Sequence, residues 1–159
     1  TKAAKKREAR PRLLGAERRG HCAGIRALPK PAGATVGKKF FPAPESEPET
    51  QLLTMLCRTV PFRHVLAFHS QGEEIYWRFQ DYAPPGAQEL GERLARVSGY
   101  RLEDTPFASG FAGYKDWFLQ DFRRPGYTIE AGLGTNPLPL SQFDEIYRRN
   151  IGILVHALP

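Results

Sequence analysis

Apolar and polar residues change their period several times along the chain, and each change marks an element. From residue 50 onward, Leu52, Met55 and Leu56 recur at helical spacing, which predicts a helix with these three on one face. Ser46-x-x-Glu49 supplies a capping box in front of it, and Pro48 fits the first turn, whose N–H groups lack intrahelical partners. A continuous apolar run over 64–69 reads as a buried strand. A polar turn follows, with Glu73 and Glu74 in solvent, and then a second strand over 75–79. Pro84-Pro85-Gly86 breaks the chain, and Leu90, Leu94 and Val97 define a helix that stops at Gly99. A helix over 113–122 ends before Pro125-Gly126, and a β-branched run over 127–130 is the third strand. Asn136-Pro137 marks a loop. Ser141 then caps a last helix that buries Phe143, Tyr147, Ile151, Leu154 and Leu158.

Strands alternating with helices predict an α/β layer with some parallel pairing. Two strands end in groups that carry chemistry. Val65-Leu66-Ala67-Phe68 runs into His69-Ser70-Gln71, and Tyr127-Thr128-Ile129 runs into Glu130-Ala131-Gly132. Open α/β sheets build active sites at the carboxyl ends of their strands. A neutral His imidazole can bind a metal, and a carboxylate can take a proton from water, so the pair points to hydrolysis. Either residue is also compatible with a structural role: His69 as a hydrogen-bonded histidine, Glu130 as half of an ion pair. The small-residue stretch 107–113 is a candidate flap, and Gly132-x-Gly134 is too short for a nucleotide loop.

Charge changes the picture at the amino-terminal end. The net charge of +6 divides into +10 over residues 1–40 and −4 over the remainder. Residues 1–39 therefore read as a basic arm, expected to be disordered because this composition buries too little apolar surface to offset chain ordering, and 40–159 as the folded domain. Cys22 and Cys57 show no disulfide or zinc-site spacing. No apolar run suits a membrane span. No basic start followed by an apolar stretch marks a signal peptide, which leaves the compartment open.

Several motifs recur in one order: Ser46-Glu47-Pro48-Glu49-Thr50, 67–77 (AFHSQGEEIYW), 112–118 (AGYKDWF), 125–130 (PGYTIE) and Asn136-Pro137-Leu138-Pro139. Together they resemble the zinc carboxypeptidase family, in wording closest to the bacterial γ-D-glutamyl-meso-diaminopimelate peptidases that cut peptidoglycan stem peptides. The resemblance covers about residues 40–158. It implies the carboxyl-terminal part of a mixed-sheet α/β/α zinc carboxypeptidase-like domain, a metallopeptidase acting on a peptide substrate. His69 then corresponds to the third zinc (Zn2+) ligand and Glu130 to the general base. Ser70 and Gln71 would line the substrate cleft. Lys115, two residues before Trp117, would lie at the floor of the specificity pocket and favour an acidic group on the leaving residue; by itself it also reads as an exposed lysine at a helix start. Tyr114 is the nearest tyrosine to the family's flap position, with Phe107 closer to the expected offset.

Other family features are missing. The His-x-x-Glu pair that supplies two further zinc ligands has no counterpart: His21 is followed by Cys22-Ala23-Gly24, with Gly24 where Glu would stand. The Asn-Arg pair that holds the substrate carboxylate is missing as well. The expectation is therefore a partial domain, inactive as an isolated chain, with two of three zinc ligands absent. A frameshift or truncated gene would produce such a boundary near Phe40. Two alternatives belong to other classes. One is a non-catalytic remnant that binds wall peptide. The other is a polybasic arm that binds nucleic acid, disfavoured because no aromatic residues interleave with its charges.

Overall fold

A computed structural model describes residue 45, residues 47–107 and residues 113–158. The basic arm, the Ser46 cap and positions 108–112 of the candidate flap lie outside the described residues. The elements run α1 (Pro48–Thr59), β1 (Val65–His69), β2 (Glu74–Tyr76), α2 (Ala87–Ser98), β3 (Arg101–Glu103), α3 (Tyr114–Phe122), β4 (Gly126–Glu130), a short 3-10 turn (Leu140–Gln142) and α4 (Phe143–Ala157).

Among the described residues the four strands form one mixed sheet in the order β1-β4-β2-β3. β1 and β4 pair in parallel, β2 and β3 in parallel, and β2 runs antiparallel to β4. β4, the last strand in the chain, thus lies between the first two. Parallel neighbours need a crossover, and here α2 with the chain around it and α3 supply those excursions.

Because strand side chains alternate between faces, the sheet carries two separate cores. On one face Ile75, Tyr127 and Ile129 pack against Leu94 of α2 and Ile153 and Ala157 of α4. The buried Tyr127 hydroxyl donates to Ala87 O at 2.7 Å, which ties β4 to the start of α2. On the other face Val65 packs with Cys57 of α1 and Trp117 and Phe118 of α3. Two glycines matter for this packing. Gly99 ends α2 at φ 72°, a left-handed conformation that favours glycine. A Cβ on Gly91 would lie 2.9 Å from the Leu102 side chain, so glycine lets α2 approach β3.

Several expectations need correction. The second strand stops at Tyr76, and Phe79 makes only an isolated bridge to Tyr82. Arg101–Glu103 forms a strand that the hydrophobic pattern does not announce, since two of its three residues are charged. Glu73 and Glu74 are ion-paired, to Arg149 and Arg101 respectively. Ser141 lies inside the 3-10 turn, and Gln142 precedes α4 without a side-chain cap. Of the two outer helices, α4 turns differently from the prediction. α1 buries Thr54 and Cys57 and exposes Leu52, Met55 and Leu56. α4 buries Ile153 and Ala157, whereas Phe143, Tyr147, Ile151, Leu154 and Leu158 are 40–67 % exposed. The apolar stripe is real, but the sheet takes the neighbouring flank, where Ile146, Ile153 and Ala157 recur.

This orientation separates adjacent positions. Ile153→Ala should cost about 2–5 kcal/mol in a urea unfolding series, whereas Leu154→Ala should stay within about 0.5 kcal/mol. Equal losses at both sites would contradict the placement of α4. His64, just before β1, supplies a pH test. Burial, then the positive charges of Arg93 and Arg63, lowers its pKa below the ordinary 6.5. The folded chain therefore binds fewer protons than the unfolded chain at pH values just below 6.5, and stability falls as pH falls through that window. His64→Gln should flatten the unfolding midpoint between about pH 7 and pH 5.

Candidate active site

The parallel register sets His69 of β1 directly opposite Glu130 of β4, both at the carboxyl ends of their strands. Both follow from alternation: Val65, Ala67 and His69 share one face of β1, and Thr128 and Glu130 share that face of β4. A cavity of about 470 Å³ opens over this face, within the range of small-ligand sites. Ala67, His69, Thr128 and Glu130 form its sheet side, with Tyr76 from β2. Tyr114, Lys115 and Asp116 at the start of α3, with Thr105 and Pro106, close it from the opposite side.

Glu130 is half-buried, and its pKa is raised. Desolvation is the main cause, the nearby His69 opposes it and the Glu74 carboxylate adds to it. Glu74 faces Glu130 across the antiparallel β2–β4 pair. Two partners restrain it: the Tyr76 hydroxyl donates to Glu74 Oε2 at 2.6 Å, and Arg101 pairs with Oε1. The phenol of Tyr76 is in turn pushed up to about 12, chiefly by that hydrogen bond. The carboxylate pair is thus asymmetric: Glu74 is hydrogen-bonded and ion-paired, and Glu130 faces the cavity.

Lys115 is fully buried rather than an exposed helix-start lysine. Its Nζ donates to Arg78 O at 2.8 Å and to Asp116 Oδ1. Desolvation lowers its pKa and Asp116 opposes that. The cavity floor is therefore an internally neutralised ion pair, with two of the three ammonium protons engaged. Gly113 belongs to this arrangement, because a Cβ there would lie 3.1 Å from Asp116 Oδ2.

Tyr114 reaches the cavity with its ring, but its hydroxyl lies 3.1 Å from Cys57 Sγ. Burial, then Cys57, raises its pKa strongly. In this position it bridges α3 to α1. Ser70 and Gln71 are exposed and do not line the cavity. Ser70 is instead clasped by Asn136: Ser70 Oγ donates to Asn136 Oδ1 at 3.0 Å, and Asn136 Nδ2 donates to Ser70 O at 3.1 Å. The Gly72 N–H donates to Gly132 O at 2.8 Å, so the loops after His69 and Glu130 are tied together.

Of the residues singled out in sequence, the structure gathers His69, Glu130, Tyr114 and Lys115 around one cavity and leaves Ser70 and Gln71 at its margin. Sequence reasoning missed Tyr76, Glu74 and Asp116. Alternation along β2 was the available signal for the first two, since residues two apart share a face. For Asp116 it was the adjacent opposite charge of Lys115. Zinc is a separate matter. Among the described residues no three His, Cys, Asp or Glu side chains converge on one point. Catalytic zinc takes three protein ligands and an open position. These residues do not fit that ion by themselves.

No protein-family model matches the chain. Over 116 residues, 73 % of this chain, it is 51 % identical to gamma-D-glutamyl-L-diamino acid endopeptidase 1 of Lysinibacillus sphaericus. Over the same length it is 37 % identical to the uncharacterized protein YqgT of Bacillus subtilis strain 168. The chain spans only 29 % and 31 % of these two curated relatives. Among solved structures it is similar to bovine thrombin-activatable fibrinolysis inhibitor, in complex with tick carboxypeptidase inhibitor. The TM-score is 0.58 at 16 % identity, covering 72 % of this chain and 45 % of that one. It is also similar to the murein-tripeptide amidase MpaA from Escherichia coli O157, with a TM-score of 0.50 at 26 % identity, covering 73 % and 43 %. Sequence likeness to a γ-D-glutamyl-L-diamino acid endopeptidase and fold likeness to carboxypeptidase-like proteins thus agree, and this chain matches part of such a domain.

Proposed function

We propose that residues 40–159 are the carboxyl-terminal part of a zinc-dependent metallopeptidase domain that hydrolyses γ-D-glutamyl-diaminopimelate bonds in peptidoglycan stem peptides, and that the chain is inactive by itself. The observation that carries this reading is the placement of His69 opposite Glu130 at the mouth of a cavity floored by Lys115 and Asp116. The 51 % identical relative, a gamma-D-glutamyl-L-diamino acid endopeptidase, supports the substrate class.

In this reading Glu130 takes a proton from the attacking water and returns it to the nitrogen of the departing amine. Its raised proton affinity moves it toward the range in which one carboxyl group serves both steps. His69, beside it, would be one metal ligand; no further ligands converge there among the described residues. Lys115 offers its remaining N–H to an acidic group on the leaving residue. Ser70, Gln71 and Tyr114 form the rim that a peptide would pass, with Ser70 held by Asn136. A remnant that binds wall peptide without cutting it is the second reading, favoured by the missing convergence of metal ligands. Nucleic acid is not proposed as a partner. No helix among the described residues is long and apolar enough to cross a membrane.

Elemental analysis of the purified full chain should show no zinc above the background of His69→Ala, and assays with γ-D-glutamyl-diaminopimelate peptides should show no hydrolysis. Near one zinc per chain, lost in His69→Ala and accompanied by cleavage, would overturn the inactivity proposed for the isolated chain. Stem-peptide binding without cleavage would favour the second reading. The pocket floor gives an independent test. Lys115→Met leaves Asp116 buried without its cation and should cost about 3–5 kcal/mol of stability. Adding Asp116→Asn should recover most of that loss in the same urea series.

A further inference from the structure

Beside Glu130, β2 presents a hydroxyl whose proton is already committed. Side chains of β2 alternate, so Ile75 enters the core, and Glu74 and Tyr76 share the cavity face with Glu130 and Thr128, their partners across the ladder. Tyr76 lines the cavity. Its hydroxyl donates to Glu74 Oε2 at 2.6 Å, and Glu74 is held in turn by Arg101 of β3. A phenol bound in this way offers a ligand only its oxygen lone pairs. The surrounding field has the same sense: the carboxylates of Glu74, Glu130 and Glu103 all favour the protonated phenol. That is the mark of negative potential at the Tyr76 oxygen. Tyr76 is therefore an acceptor standing where a cation is favoured.

The opposite wall carries the complementary restriction. Lys115 Nζ donates to Arg78 O at 2.8 Å and to Asp116, and an ammonium group can only donate. Thr105 Oγ1 donates to the same Arg78 carbonyl at 3.1 Å, which anchors both side chains on one point of the backbone. Arg78 follows Tyr76 by two residues, so their Cα atoms are at most about 7 Å apart. The Lys115 donor and the Tyr76 acceptor thus border one end of the same cavity. A purely acidic side chain would engage Lys115 and leave the Tyr76 oxygen unused. A simple amine would engage Tyr76 and leave the Lys115 N–H unused. An ammonium and a carboxylate carried on one carbon atom would engage both.

We propose that Tyr76 is a specificity residue of this site: its hydroxyl oxygen accepts a hydrogen bond from the side-chain ammonium of a diamino acid, while Lys115 donates to the carboxylate on the same carbon. The ligand class narrows to residues whose side chain ends in both groups. Glu74 and Arg101 act through Tyr76, as positioning residues that fix the direction of its proton. This role for Tyr76 rests on the peptide site proposed above and adds to it a partner for the amino group.

Three peptides separate the two contacts: γ-D-glutamyl-meso-diaminopimelate, γ-D-glutamyl-L-α-aminopimelate, which lacks the side-chain amino group, and γ-D-glutamyl-L-lysine, which lacks the side-chain carboxylate. Calorimetric titration of the full chain should show the first binding about tenfold more tightly than either of the others. The net charge of +6 attracts the more anionic aminopimelyl peptide, so nonspecific binding runs against the expected order of the first two. Tyr76→Phe should weaken the diaminopimelyl peptide to the level of the aminopimelyl one and leave the latter within about twofold. A tyrosine with a structural role alone would weaken all three alike, and that result would overturn the proposal. Glu74→Gln removes the charge that fixes the phenol proton and should erase the same preference while keeping the ring. An aminopimelyl peptide that binds as tightly as the diaminopimelyl one would overturn the role of Tyr76 and leave the peptide site standing. So would a preference that survives in both variants. Failure of all three peptides to bind would overturn the peptide site, and the role of Tyr76 with it.

Discussion

The parallel pairing of β1 with β4 is the constraint on which the rest depends. It joins segments about sixty residues apart in the chain and sets His69 opposite Glu130. A slip of one residue would turn every side chain of β1 to the other face. Val65 would leave the core formed with Trp117 and Phe118, and His69 would leave the cavity. The burial that holds the register therefore also places the chemistry. The two roles cannot be separated by mutation of the strand interior without losing both.

Around that pairing the polar groups divide into held and open sets. Glu74 is committed to Tyr76 and Arg101, Lys115 to Asp116 and Arg78, and Ser70 to Asn136. Each commitment removes a side chain from free competition and leaves Glu130 as the carboxylate turned toward the cavity. Unpaired burial of any of these charges would be costly. The pairing of Lys115 with Asp116 also changes the meaning of a cation at that position. It neutralises the floor, so selection of an acidic group would depend on one directed N–H rather than on net positive charge.

The outer helices show where local pattern and tertiary context part. In both α1 and α4 the apolar stripe visible in sequence is the exposed one. The sheet instead engages a flank of smaller or mixed residues, Thr54 and Cys57 in α1, Gly152, Ile153 and Ala157 in α4. Hydrophobic periodicity reports that a face is meant for burial, not which surface buries it. A helix with two apolar flanks satisfies the nearest surface first.

By itself the sequence determined the element types, the alternation of helices with strands and the two strand ends that carry His69 and Glu130. These are local properties: β-branched runs, glycine at a helix end, and a polar residue closing an apolar run. The motif order also pointed to the kind of peptidase that the sequence comparison finds similar. Tertiary structure alone decided that β4 lies between β1 and β2, that Tyr76 and Glu74 border the site, and that Lys115 is buried against Asp116. It also decided the strand at Arg101–Glu103, whose charged residues become part of a sheet because β2 offers an edge beside them. Such choices follow from long-range pairing and from the burial of charge against charge, and no local window along the chain contains both partners.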